Sequence, residues 1–182
     1  MTPAGLSSLW SERWGRTSPI GWTLRTCLPE RWIRFHSLPE SKRYAQDEAE
    51  HLEVLRRHHA VLEALGASIE TRVLTVTIQF ESGEMAGVHP DAWHWRTIHP
   101  EDEDQEGSWR LFVNEGPLSA LSPLLRLVAN DECRGVLILP LDLAWIVHPY
   151  DGGADVITAT SAERDVLAAR FASWRSARPD GL

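Results

Sequence analysis

The chain is short of cysteine, of lysine and of glycine-rich segments, and each shortage closes off a class of protein. Cys27 and Cys133 stand far apart, in neither a CxxC nor any other metal-ligand spacing. A zinc ribbon and a redox dithiol are therefore excluded; the two cysteines could pair, but two reduced core thiols are expected. Lys42 is the sole lysine beside seventeen arginines, a skew that suits planar recognition of carboxylates or phosphates and equally follows from codon bias. No glycine-rich phosphate loop, dinucleotide fingerprint, HExxH, EF-hand loop or nucleophile elbow occurs, so the easily read chemistries are gone. The stretch from Met1 to Arg16 carries Trp10, Glu12, Arg13 and Trp14 and has no apolar heart, unlike a secretory signal. The longest apolar stretch, Gly135 to Val147, is broken by Pro140 and Asp142 and is too short to cross a bilayer. No membrane association is expected, and the cytoplasm is the default compartment.

What remains is one domain's worth of globular sequence: 182 residues, 43% apolar and 24% charged, with a formal net charge of −8. That charge is uneven. Residues 1–43 sum to +4, residues 44–115 to −10 and residues 116–182 to −2. A general nucleic-acid binder is not expected on this balance, although a local basic face of Arg31, Arg34, Lys42 and Arg43 stays open. The densest acidic run, Glu101, Asp102, Glu103, Asp104 and Glu106, reads as a solvated loop or as a contact patch for a basic partner. Nine residues are tryptophan. Most of them belong in a core, and any that are exposed would anchor an interface; Trp93, Trp95 and Trp109, which flank the acidic run, are the candidates.

The periodicities predict an α+β domain over 1–182, mostly an antiparallel sheet with helices packed mainly on one face. An N-terminal helical segment (1–27) places Leu6, Leu9, Trp10 and Trp14 at helical spacing, with Pro19 and Gly21 breaking the chain after it. Strands are expected over 31–37, 69–80, 109–113, 136–139 and 143–148. Asp47 caps a long helix whose stripe is Leu52, Leu55, His59, Leu62 and Leu65, stopped by Gly66. An irregular acidic loop region (83–107) follows, with a short helix around 91–95, and a further helix spans 118–129. The C-terminal unit (135–177) joins a hairpin turning at Tyr150-Asp151-Gly152-Gly153 to a helix opened by the capping box Thr160/Glu163 and bearing Val166, Leu167, Phe171 and Trp174.

Chemistry-bearing residues concentrate in that hairpin. Gly152 and Gly153 allow positive φ, and Asp151 can bond the turn backbone. Turn chemistry leaves His148, Tyr150 and Asp155 unexplained. An imidazole, a phenol and a carboxylate so close could transfer protons, with Asp151, His36 and Arg34 joining them, or could pin the hairpin to the body by hydrogen bonds. His89, His94 and His99 recur every five residues, which suits neither a helix face nor a strand face, and no metal site is expected. No cofactor is implied.

The hairpin and following helix, through Tyr150, Asp151, Asp155, Val156, Ile157, Phe171 and Trp174, resemble the C-terminal signature of an uncharacterised bacterial domain-of-unknown-function family. In that signature Tyr-Asp-Asp-Arg-Gly-x-Asp precedes two aliphatics and a helix ending in an aromatic and Trp; here Gly152-Gly153-Ala154 is one residue shorter and lacks the arginine. Some members stand beside Rhs-type toxin loci. The resemblance implies a bacterial cytosolic protein from a toxin–immunity neighbourhood. The leading expectation is a binding or immunity protein meeting a toxin through the acidic run and its tryptophans. The alternatives are an enzyme using the hairpin residues and a homodimer.

Overall fold

Strands with alternating apolar residues divide the core between two faces of one sheet. The computed structural model describes residues 1–80, 89–99 and 107–176. Its strands are β1 (Trp32–His36), β2 (Arg72–Phe80), β3 (Trp93–Ile98), β4 (Trp109–Pro117), β5 (Leu137–Pro140), β6 (Ile146–Tyr150) and β7 (Gly153–Ile157). All neighbours pair antiparallel, in the order β1-β7-β6-β5-β2-β4-β3. Against one face, where Ile33, Phe35, Ile138, Val147 and Val156 project, lie α3 (Glu48–Ala64), α4 (Ser122–Ala129) and α5 (Ser161–Arg170). Against the other, where Leu74, Val76, Leu111, Leu137 and Ile146 project, lie α1 (Pro3–Trp14) and α2 (Gly21–Cys27). The architecture is the α+β one that the periodicities predict, with three of the five helices on one face. None of the described helices is long and apolar enough to cross a membrane.

Each longer helix starts where a side chain satisfies the free N–H groups of its first turn. Thr2 accepts from the Gly5 N–H at 3.1 Å and Asp47 from the Glu50 N–H at 2.9 Å. The capping box of α5 is complete, with Thr160 Oγ1 accepting from the Glu163 N–H at 3.2 Å and Glu163 Oε2 from the Thr160 N–H at 3.3 Å. Thr160→Ala is expected to cost about 1 kcal/mol. It should appear as a lower urea midpoint with an unchanged slope.

Several elements differ from the sequence expectation. Residues 93–98 form a strand, not a helix around 91–95, so the 83–107 region is not wholly irregular. The edge of β4 offers a ladder of N–H and C=O groups that a six-residue run could not satisfy within itself, and a bulge between His94 and Arg96 adjusts the register. Helix α2, read as a break, forms because Ile20 and Leu24 are fully covered by the core. In α3 the buried residues are Val54, Leu55, Arg57, His58, Val61 and Leu62, so Leu55 and Leu62 of the expected stripe lie in the core, Leu52 is exposed and His59 sits at the margin, its Nε2 3.3 Å from Ser122 Oγ. His58 takes a core position that the leucine spacing did not name, its Nδ1 2.8 Å from the Val54 carbonyl oxygen. Val166 is exposed on α5, and Cys27 is exposed rather than in the core.

Candidate functional site

The pleat of β1, β7 and β6 aligns polar residues in a row across the sheet. Arg34 faces Asp155, and Asp155 faces His148, as cross-strand partners. All three share the face that α2 covers, because their parity matches Ile157 and Ile146 rather than Val156 and Val147. One step nearer the hairpin tip comes a second row, His36, Gly153 and Tyr150. Its centre has no side chain, which hollows the sheet surface there.

Gly153 is required by proximity. A Cβ on it would lie 2.1 Å from the carbonyl oxygen of Phe35. Neither Gly152 nor Gly153 adopts the positive φ that the turn sequence invited. Asp151 does not serve the turn backbone as expected; it accepts a 2.6 Å hydrogen bond from Arg43 Nε, which ties the hairpin to the β1–α3 connection. Lys42, by contrast, pairs with Glu50 at 2.6 Å, so the two neighbouring cations go to different elements.

The Arg34–Asp155 contact is bidentate, 2.8 Å from Nε to Oδ1 and 3.0 Å from Nη2 to Oδ2, and both side chains are largely buried. Burial works against the Asp155 charge, yet the nearby imidazole and the arginine fork override it and hold the carboxyl at about 2. His148 Nδ1 lies 3.9 Å from Asp155 Oδ2, beyond hydrogen bonding and within electrostatic reach. This nitrogen is buried and has no hydrogen-bond partner among the described residues. Burial pushes the Tyr150 phenol well above its ordinary value, so it stays protonated. The Arg34 guanidinium stands 4.9 Å from the centre of that phenol ring. His36 is held below its ordinary value by burial first and then by the charges of Arg34 and Arg57, so it is neutral.

These residues line one cavity of about 580 Å³ at the hairpin end of the sheet. His36, His148, Tyr150, Asp151 and Asp155 all border it. The hairpin tip is thus part of a concave surface. Trp22 and Arg25 of α2 supply one wall, and Asp131, Cys133 and Arg134, between α4 and β5, supply another. Burial raises the Cys133 thiol to about 11, which leaves it protonated and a poor nucleophile at neutral pH. Sequence reasoning missed Trp22, Arg25 and the α4–β5 residues. The i, i+3 spacing of Trp22 and Arg25 would have placed them on one helix face, had α2 been recognised.

Helix α2 also fixes the imidazole. A Cβ on Gly21 would meet His148 Cγ and Cδ2 at 2.3 Å, so the ring lies directly on the glycine. Gly21→Ala is expected to cost about 1–3 kcal/mol and to displace the His148 ring. Its imidazole NMR signals should move while those of His51, on α3, stay in place.

The other candidates fall elsewhere. Glu101, Asp102, Glu103, Asp104 and Glu106 lie outside the described residues. Trp95 is in the core, packed against Trp10 with its indole N–H donating to Ser7 Oγ at 3.0 Å, so it is no surface anchor. Trp93 and Trp109 are half-buried, and Trp109 meets Trp22 and Phe80 edge-on. None of the nine tryptophans is fully exposed. His94 lies within reach of Thr97, and His89 of the Asp91 backbone; no cluster able to hold a metal occurs among the described residues.

No curated protein and no solved structure matches the chain. A family model described as a domain of unknown function, DUF3885, matches residues 20–179. The matched span runs well beyond the hairpin and last helix that carry the sequence resemblance, and it contains every residue bordering the cavity. The chain therefore belongs to the DUF3885 family of domains of unknown function.

Proposed function

We propose that this protein is an enzyme that binds a small molecule in the hairpin cavity and moves a proton with His148. The observation that carries this reading is convergence: residues from β1, β6, β7 and the turn border one cavity of ligand size, with a buried Arg34–Asp155 pair beside His148. Arg34 keeps Asp155 ionised. Asp155 faces His148 Nδ1 and favours the tautomer with its proton there, which leaves Nε2 to accept a proton from the substrate. Tyr150 donates a hydrogen bond, and Asp151, tied to Arg43, holds the cavity wall in place. The test is turnover of a panel of bacterial metabolites, followed by mass spectrometry. His148→Gln should lower the rate at least about a hundredfold while leaving the unfolding temperature near that of the wild type. A panel left unchanged by the wild type, or turned over equally by the variant, contradicts the proposal.

The −10 balance of residues 44–115 favours a second reading, a bacterial cytosolic immunity protein that steers a basic toxin onto the acidic run. Of its expected anchors, Trp93 and Trp109 keep part of their surface accessible. Neutralising the five acidic residues at 101–106 should then slow association with a toxin encoded alongside and flatten its salt dependence; unchanged kinetics contradict this reading.

A further inference from the structure

Four of the seventeen arginines border the hairpin cavity, in a chain whose net charge is −8. Three of them are matched: Arg34 by Asp155, Arg43 by Asp151, and Arg134 by Asp131 through a 2.6 Å contact from Nε to Oδ1. The fourth, Arg25, is half-buried on α2 and makes no hydrogen bond or ion pair among the described residues. The cavity lining therefore carries one cation in excess, on a guanidinium whose donors are unengaged. That fork presents the planar geometry that suits an oxyanion. One turn of helix away, Trp22 borders the same cavity, its ring braced edge-on by Trp109 at 5.5 Å. The phenol ring of Tyr150 borders it as well, so the cation is flanked by flat apolar surface.

We infer that the cavity takes an organic anion, with its carboxylate or phosphate oxygens on Arg25 and a flat apolar body against Trp22 and Tyr150. This rests on the reading of the cavity as a ligand site and adds the chemical class of the ligand. The volume, about 580 Å³, accommodates a ligand of that size. Arg43 and Arg134, exposed at the margin and already neutralised, add a weak long-range field, whereas Arg25 confers the preference.

Four probes that share one flat body test this: phenyl phosphate, benzoate, benzamide and benzylamine, each titrated into the full chain by calorimetry, with the Trp22 indole followed by NMR. The anions are expected to bind at least about tenfold more tightly than benzamide, to shift the Trp22 indole signal, and to lose about that factor in Arg25→Gln. Benzamide affinity should be the same in both proteins. Whichever anion binds more tightly identifies the head group as phosphate or carboxylate. Benzamide or benzylamine binding as well as the anions while shifting the Trp22 signal would overturn the anion assignment and leave the ligand cavity standing. Anion binding indifferent to Arg25→Gln would likewise overturn it. Absence of any shift with all four probes would overturn the assignment and the cavity reading together.

Discussion

Asp155→Asn is expected to destabilise the protein by about 3–5 kcal/mol, because it leaves the Arg34 guanidinium buried without its counter-charge. The pair is central to three strands: Arg34 is on β1, Asp155 on β7 and His148 on β6. The amide offers one oxygen to a fork that now engages two, at 2.8 and 3.0 Å. The acid response should change with it. The carboxyl titrates at about 2 in the folded chain against an ordinary 3.8, so the folded state binds the proton less readily than the unfolded chain. Stability from this group is fully present above the unfolded value and is lost as pH falls from about 4 through about 2, a contribution of about 2 kcal/mol. The asparagine variant should lack that component. Glu53, also lowered to about 2 by Arg56 and then Arg57, titrates in the same window in both proteins and cancels in the comparison. Urea midpoints at pH 6, 4 and 3 read both effects; equal midpoints for the two proteins at pH 6 would contradict the buried-pair account.

Gly153→Ala is expected to cost about 3 kcal/mol or more. The added methyl would lie 2.1 Å from the Phe35 carbonyl oxygen, and that oxygen belongs to the backbone of a strand held in register from Trp32 to His36. Phe35 is itself buried against Phe171, so β1 has no room to retreat. Gly152→Ala is the control. Its methyl would meet only Tyr150 at 3.2 Å and Arg43 at 3.5 Å, side chains able to give way. Its midpoint should fall by well under half as much. Equal losses at the two glycines would place the constraint in turn conformation instead of strand proximity.

The contrast between these glycines shows what was legible. From sequence both were turn residues, and the hairpin, its residues and the antiparallel sheet were readable because local pattern determines them. The reason for Gly153 was not, since Phe35 reaches it from β1, far upstream in the chain, a pairing that no local pattern encodes. The same holds for Arg43, read as part of a local basic face and found on Asp151. His148, Tyr150 and Asp155 were identifiable as polar residues that turn chemistry could not explain, and His36 and Asp151 as residues that could join them. Their shared cavity, and the part of Trp22 and Arg25 in it, depended on a seven-residue helix that follows Pro19 and opens on Gly21, both read as breakers. In α3, leucine spacing found Leu55 and Leu62 and missed His58, a core histidine paired with its own helix backbone.

The orientation of His148 by Asp155 is the point on which the functional account rests. A long-range proton–nitrogen correlation spectrum of the imidazoles measures it directly. In the neutral form, His148 should carry its proton on Nδ1, toward Asp155, and that preference should vanish in Asp155→Asn. A neutral His148 protonated on Nε2, or a spectrum unchanged by the substitution, would contradict it.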